Sequence, residues 1–156
     1  MWEDDDDNDD DEGEYDPEAE RRKLEALPIY KKALEILDLT QQIVDTFNDE
    51  DTAKIHRQIM LEDAMIIPAK IAGAEAMDDY ILKMENATVI KIHARSLLTK
   101  TSSAKYLDLQ DERYLKLLRD EIEVFRLLFK EWILSFEIDT TKEGDGWGLF
   151  VPDEGD

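Results

Sequence analysis

The feature that most constrains the fold is a regular apolar stripe in region 111–136. Seven large apolar side chains recur there at alternating steps of three and four residues: Leu115, Leu118, Ile122, Phe125, Phe129, Trp132 and Phe136. Because an α-helix has 3.6 residues per turn, this spacing places all seven on one face. Such a seam is typical of helices that pack nearly parallel to one another. The region therefore predicts a long amphipathic helix that packs lengthwise against other helices.

Three earlier segments also have helical periodicity, and none of them alternates like a strand. The first begins at Pro28, whose missing N–H is tolerated in the first turn of a helix, and ends in the polar cluster 48–51. Its stripe consists of Ile29, Ala33, Ile36, Thr40, Ile43 and Phe47. The third segment, about 78–100, is followed by a polar connection at 101–103. Its main face consists of Tyr80, Met84, Ala87, Ala94 and Leu98.

The second segment, about 52–76, carries a proline in its interior. One stripe consists of Met60, Ala64, Ile67, Ile71 and Ala74, and a second row beside it of Ile55, Ile59, Ile66 and Ala69. Pro68 removes a main-chain hydrogen bond and clashes with the preceding turn, at a cost of about 3 kcal/mol. Because the apolar pattern continues in phase on both sides, we predict a kinked helix rather than a broken one.

These four segments together predict an all-α fold. Long helices joined by short polar connections are typical of an antiparallel up-down-up-down four-helix bundle, here with a proline-kinked second helix. We place the bundle at 21–136. The flanking regions are predicted to be an acidic disordered tail at 1–20 and a second acidic tail at 137–156.

The charge of the chain is concentrated in these two tails. Residues 1–20 contain 13 Asp or Glu and no Lys or Arg, and residues 137–156 contain 7 acids and one Lys. The formal net charge of the whole chain is −21, although the part between the tails is close to neutral. Acidic tails repel phosphate backbones and anionic lipids and attract basic proteins. Nucleic-acid binding and membrane binding are therefore disfavoured, and a basic protein partner is favoured.

Composition also predicts where the protein resides. The chain has no cysteine, so disulfides and thiolate chemistry are excluded. Its N-terminus is acidic, whereas a signal peptide has a basic start followed by an apolar stretch. No run approaches the roughly 20 apolar residues of a transmembrane helix. We therefore expect a cytoplasmic protein.

Two short motifs resemble a known family. The sequence Ile-Ile-Pro-Ala-Lys-Ile-Ala-Gly at 66–73 resembles the proline-containing signature of the bacterial four-helix bundle proteins, and Ile-Tyr-Lys-Lys-Ala-Leu at 29–34 resembles the start of their first helix. Intervening sequences of 23S rRNA genes encode these proteins, which look related to the accessory protein of diversity-generating retroelements. The resemblance implies a kinked second helix and a ring of five subunits. It also implies association with nucleic acid or reverse transcriptase.

The sequence offers no constellation for catalysis. A di-iron bundle needs Glu three residues before a metal-binding His, but Ala53 precedes His56 and Ile90 precedes His93 at that spacing. No Gly-rich phosphate loop or nucleophile motif is present. We therefore predict no metal, no cofactor and no enzymatic activity, with both histidines at the surface or its boundary. Lys91 and Arg95 form either a basic patch with Arg57 and Lys54 or ordinary pairs with neighbouring carboxylates.

Two features predict binding to other proteins. The last helix has a second apolar row, Leu117, Val124 and Leu128, which a single bundle does not need and a second subunit can cover. The acidic tail contains an apolar island, Trp147, Leu149, Phe150, Val151 and Pro152, which either folds onto its own bundle or serves as a docking motif.

The sequence thus favours one function over two others. The first hypothesis is a non-catalytic homo-oligomeric scaffold or adaptor that recruits a protein partner. The alternative is a nucleic-acid-associated accessory protein that binds RNA or reverse transcriptase. An enzyme with a pocket between its helices ranks third.

Overall fold

The computed structural model describes residues 13–48, 51–139 and 143–153. Within these ranges the chain is all-α and contains no strand. Five helices follow one another: α1 at Pro17–Ala26, α2 at Pro28–Asp45, α3 at Asp51–Glu75, α4 at Tyr80–Tyr106 and α5 at Glu112–Leu134. None of them combines the length and hydropathy that crossing a bilayer requires.

The four longer helices surround one core. α2 contacts α3 and α5, and α4 contacts the same two helices. The α2–α3 and α4–α5 connections lie at the same end, where the Asn48 N–H donates to the Leu109 carbonyl at 3.2 Å. At the other end, the Trp132 indole N–H donates to the Glu75 carboxylate at 2.8 Å. Consecutive long helices therefore run in opposite directions.

The apolar stripes predicted for α2, α3 and α5 face this core. All six residues of the first stripe are buried, although Phe47 lies just beyond the end of α2, and so are the five of α3. Of the seven in the last stripe, six are buried, including Phe136 just beyond α5, and Phe129 is partly buried. The second row of α3 is different, because Ile55 and Ala69 are exposed while Ile59 and Ile66 are partly buried. Asp111 caps α5 by accepting the Arg113 N–H at 2.9 Å. Hydrogen bonds from Arg113 lower the pKa of Asp111 to about 2.

The proline-containing helix is continuous, as predicted. α3 extends from Asp51 to Glu75 with Pro68 buried in its interior. The proline leaves the Ala64 carbonyl without its usual main-chain donor. Burial of Ile67 and Ile71 on the two sides offsets this loss, since each contributes roughly 1.5–3 kcal/mol.

A fifth helix, α1, corrects the predicted boundary at residue 21. Residues 1–12 lie outside the described part of the chain, but 17–20 are the first turn of α1 rather than part of a disordered tail. Asp16 caps the helix by accepting the Glu18 N–H at 3.0 Å, and Pro17 occupies the first helical position. Leu24 then packs against the core. The disordered tail was predicted from charge alone. Local capping by Asp16 extends helical structure into this acidic region.

The third predicted segment also ends later than expected. The polar residues 101–103 were predicted to form a connection, but α4 continues through them to Tyr106. The Thr101 hydroxyl donates to the Leu98 carbonyl at 2.6 Å, and Ser103 donates to Thr99 at 3.3 Å, so the hydroxyls are satisfied within the helix. Thr101 and Ala104 are buried, and this packing overrides the weak helix propensity of the segment.

Candidate functional site

A cleft of about 320 Å³ opens between α4 and α5. Its floor is apolar and consists of Ala94, Leu98, Ile122, Phe125 and Phe129. Ala94 contributes only a methyl group to the α4 wall, which leaves space beside the aromatic rings of α5. Ligand sites in proteins are commonly concave, mostly apolar and about 300–1,000 Å³ in volume. This cleft lies within that range.

The rim of the cleft is basic. Lys91 and Arg95 come from α4, Arg126 and Lys130 come from α5, and Glu123 is the single acid beside them. Arg126 is paired with Glu123 at 2.6 Å, and this hydrogen bond lowers the pKa of the Glu123 carboxyl. The other three cations form no ion pair or hydrogen bond with the described residues. The cleft therefore combines an apolar floor with three cations that have no ion-pair partner in the described part of the chain.

This basic cluster differs from the patch that the sequence suggested, which joins Lys91 and Arg95 with Arg57 and Lys54. The Arg57 guanidinium donates to the Val44 carbonyl at 3.0 Å and so ties α3 to α2. Lys91 and Arg95 instead share the cleft with two cations of α5. Sequence reasoning missed Arg126 and Lys130, although each directly follows an aromatic residue of the α5 stripe. That adjacency places them at the edge of the buried face.

The apolar row predicted on α5 is accessible over much of its length. Leu117 is 47% exposed and Val124 is 43% exposed, whereas Leu128 is partly buried against the core. Beside this row, Lys32 of α2 donates to Glu121 at 2.7 Å and to Glu35 at 2.5 Å. The hydrogen bond to Glu121 and then that to Glu35 raise the pKa of Lys32. The row is therefore an apolar strip that the Glu121–Lys32 ion pair interrupts between Leu117 and Val124.

The apolar island of the C-terminal region forms a turn with outward-facing side chains. The Gly146 N–H donates to the Asp153 carboxylate at 2.9 Å, and Gly146 and Gly148 take φ values of 87° and 68°, which favour glycine. Trp147 is 87% exposed. Leu149, Phe150 and Pro152 are also exposed, while Val151 is partly buried. Of the island, only Val151 lies beside the start of α4, where it shares a shallow depression with Tyr80 and Ile81.

A buried polar cluster joins α3 to α4. The Asp63 carboxylate is hydrogen-bonded to His93 Nδ1 at 2.8 Å and accepts the Ser96 hydroxyl at 2.6 Å. His93 is partly buried, as predicted for a residue at the boundary. His93 and Ser96 both bind Asp63, which differs from the serine–histidine–aspartate order of a hydrolytic triad. The cluster therefore pins two helices together. In the described ranges, no three His, Asp or Glu side chains converge as metal ligands.

The chain matches no protein-family model, and no curated protein is significantly similar to it. The resemblance of residues 66–73 to the bacterial four-helix bundle proteins therefore stays a prediction. Function is inferred instead from the cleft, the α5 row and the C-terminal turn.

Proposed function

We propose that this protein is a non-catalytic, cytoplasmic scaffold that self-associates through α5 and recruits a basic protein partner. In this proposal α2–α5 act as an up-down-up-down four-helix bundle with α1 appended to its start. The bacterial family resemblance suggests a ring of five subunits as the assembly.

The observation that carries the proposal is the apolar row Leu117, Val124 and Leu128. Contiguous apolar surface on a soluble domain commonly marks an interface. Glu121 lies in line with the row, four residues after Leu117, and pairs with Lys32, so the surface combines apolar side chains with an ion pair, as protein–protein contacts commonly do. A second copy of this chain is the simplest partner for the row, because most soluble oligomers are symmetric assemblies of identical chains.

The acidic regions supply the second half of the proposal. The 13 acids of residues 1–20 concentrate negative charge at one end of the sequence. Such a charge raises the encounter rate with a basic protein. A scaffold with this charge therefore favours basic partners, and it stays soluble while its apolar row is covered.

Replacing Leu117 and Val124 together by glutamine is expected to weaken self-association by about tenfold or more, because the row loses its apolar contact area. Glutamine keeps the helix propensity and adds no charge. Sedimentation equilibrium would measure the dissociation constants of the wild-type and variant proteins. Ile92→Gln on α4 is the matched control, since Ile92 is also an exposed apolar residue outside the row. A monomeric wild-type protein, or an equal effect of the control, would refute this role of α5.

The basic cleft supports a second candidate function, association with RNA. Four cations around one groove are a feature of phosphate-binding surfaces. The net charge of −21 opposes this function, because the chain as a whole repels a polyanion. In a gel shift with generic RNA at low salt, we expect no retarded band. A salt-sensitive band that disappears in an Arg95→Glu variant would establish the alternative.

A further inference from the structure

The α4–α5 cleft needs an occupant that is both apolar and acidic. Its floor includes Phe125 and Phe129, and removing such an apolar surface from water is favourable. Its rim carries Lys91, Arg95 and Lys130, none of which forms an ion pair with the described residues. An occupant that fits both properties buries an apolar side chain in the groove and places carboxylates at its edge.

Residues 143–153 have this composition. They contain the exposed apolar residues Trp147, Leu149 and Phe150, together with three carboxylates and no cation. The turn held by Asp153 already fixes part of the backbone, so less conformational entropy is lost on binding. Aromatic anchors of this kind supply much of the binding energy at protein interfaces.

We propose that the α4–α5 cleft binds segment 143–153 of a second copy of this chain, with Trp147 as its apolar anchor. The three cations of the rim pair with the carboxylates of the segment. In a closed symmetric assembly each chain donates one segment and receives one, so every cleft is filled.

The position of the segment within its own chain favours a second copy. Glu143 and Val151 lie beside Asp79 and Tyr80, at the start of α4. The α4 wall of the cleft begins at Lys91, about 16 Å further along the helix at a rise of 1.5 Å per residue. Within its own chain the segment therefore packs beside the start of α4, and Trp147 is open to contact by another molecule.

This contact is separate from the α5 row of the proposed function. Val124 of the row and Arg126 of the rim are two positions apart, which places them on nearly opposite sides of the helix. Variants of the row and variants of the cleft can therefore succeed or fail independently.

The first test uses a fluorescent peptide of residues 143–153 and the full-length Trp147→Ser protein, whose own segment competes poorly. We expect fluorescence anisotropy to show saturable binding of the peptide. When Arg95→Glu and Lys130→Glu are added to this protein, its affinity for the peptide should fall about tenfold or more. Adding Lys31→Glu and Lys54→Glu instead changes the charge by the same amount away from the cleft. The affinity of this control for the peptide should stay within about twofold of that of the Trp147→Ser protein. Absence of binding, or equal losses in both pairs, would overturn the proposal.

The second test separates a second copy from the same chain. In full-length protein that carries Leu117→Gln and Val124→Gln, the remaining self-association should fall about tenfold when Trp147 is replaced by serine. Sedimentation equilibrium measures this change. A monomer whose cleft is nevertheless blocked to the peptide would indicate occupation by its own segment and would overturn the proposal. Generic RNA and unlabelled peptide can also be compared as competitors of the fluorescent peptide. If RNA displaces it at the lower concentration, the cleft is assigned to RNA instead.

Discussion

Replacing Phe125 by alanine is expected to lower the free energy of unfolding by about 3–5 kcal/mol. The side chain is 2% exposed and lies in the middle of the α5 stripe, where its ring centroid is 6.4 Å from that of Phe129. Alanine removes the ring and leaves a cavity that the surrounding helices fill only partly. Urea denaturation followed by circular dichroism would measure the change.

Leu127→Ala provides the control for this substitution on the same helix. Leu127 is 52% exposed, so its truncation should change the free energy of unfolding by no more than about 0.5 kcal/mol. Phe125 also forms part of the cleft floor, and its loss should weaken peptide binding in the fraction that remains folded. Equal destabilisation by both substitutions would contradict the assignment of the core face of α5.

Replacing Asp63 by alanine is expected to cost about 2–3 kcal/mol in free energy of unfolding. The carboxylate is buried and binds both His93 and Ser96 on the neighbouring helix. Its removal leaves the Ser96 hydroxyl and the His93 ring without their shared partner in a poorly hydrated position. Thermal and urea unfolding of the purified variants would measure the cost.

A double-mutant cycle identifies the contribution of the cluster. Ser96→Ala alone should cost less than Asp63→Ala, because the carboxylate keeps its contact with His93. The combined variant should be less destabilised than the sum of the two single variants, since both remove the same hydrogen bond. Strict additivity would show that the two side chains act independently and would contradict the geometry of the cluster.

The sequence alone predicted most of the helical framework. The stripes of α2 and α5 were read correctly because helical periodicity is a local property, set by the 3.6-residue turn and by burial of one face. Continuity through Pro68 followed from the same pattern. Two predicted boundaries were wrong, one because of local capping and the other because of tertiary packing. Capping by Asp16 begins α1 within an acidic region, and burial of Thr101 carries α4 beyond its expected end.

The candidate site could not be predicted in the same way. Periodicity shows which face of a helix is buried, but it does not show which helix that face meets. The rim of the cleft combines Arg95 with Lys130, which are 35 positions apart, and the polar cluster combines Asp63 with His93, which are 30 positions apart. These juxtapositions exist only after the helices have packed.

The sequence by itself thus predicted the four long helices, the apolar faces of α2, α3 and α5, and the concentration of negative charge at the two ends. Only the tertiary structure decided that a small residue, Ala94, faces the rings of α5, and that the resulting cleft is lined by three cations without an ion-pair partner among the described residues. The physical reason is that helix formation depends on neighbours within about one turn, whereas a binding site depends on side chains that packing brings together from distant helices.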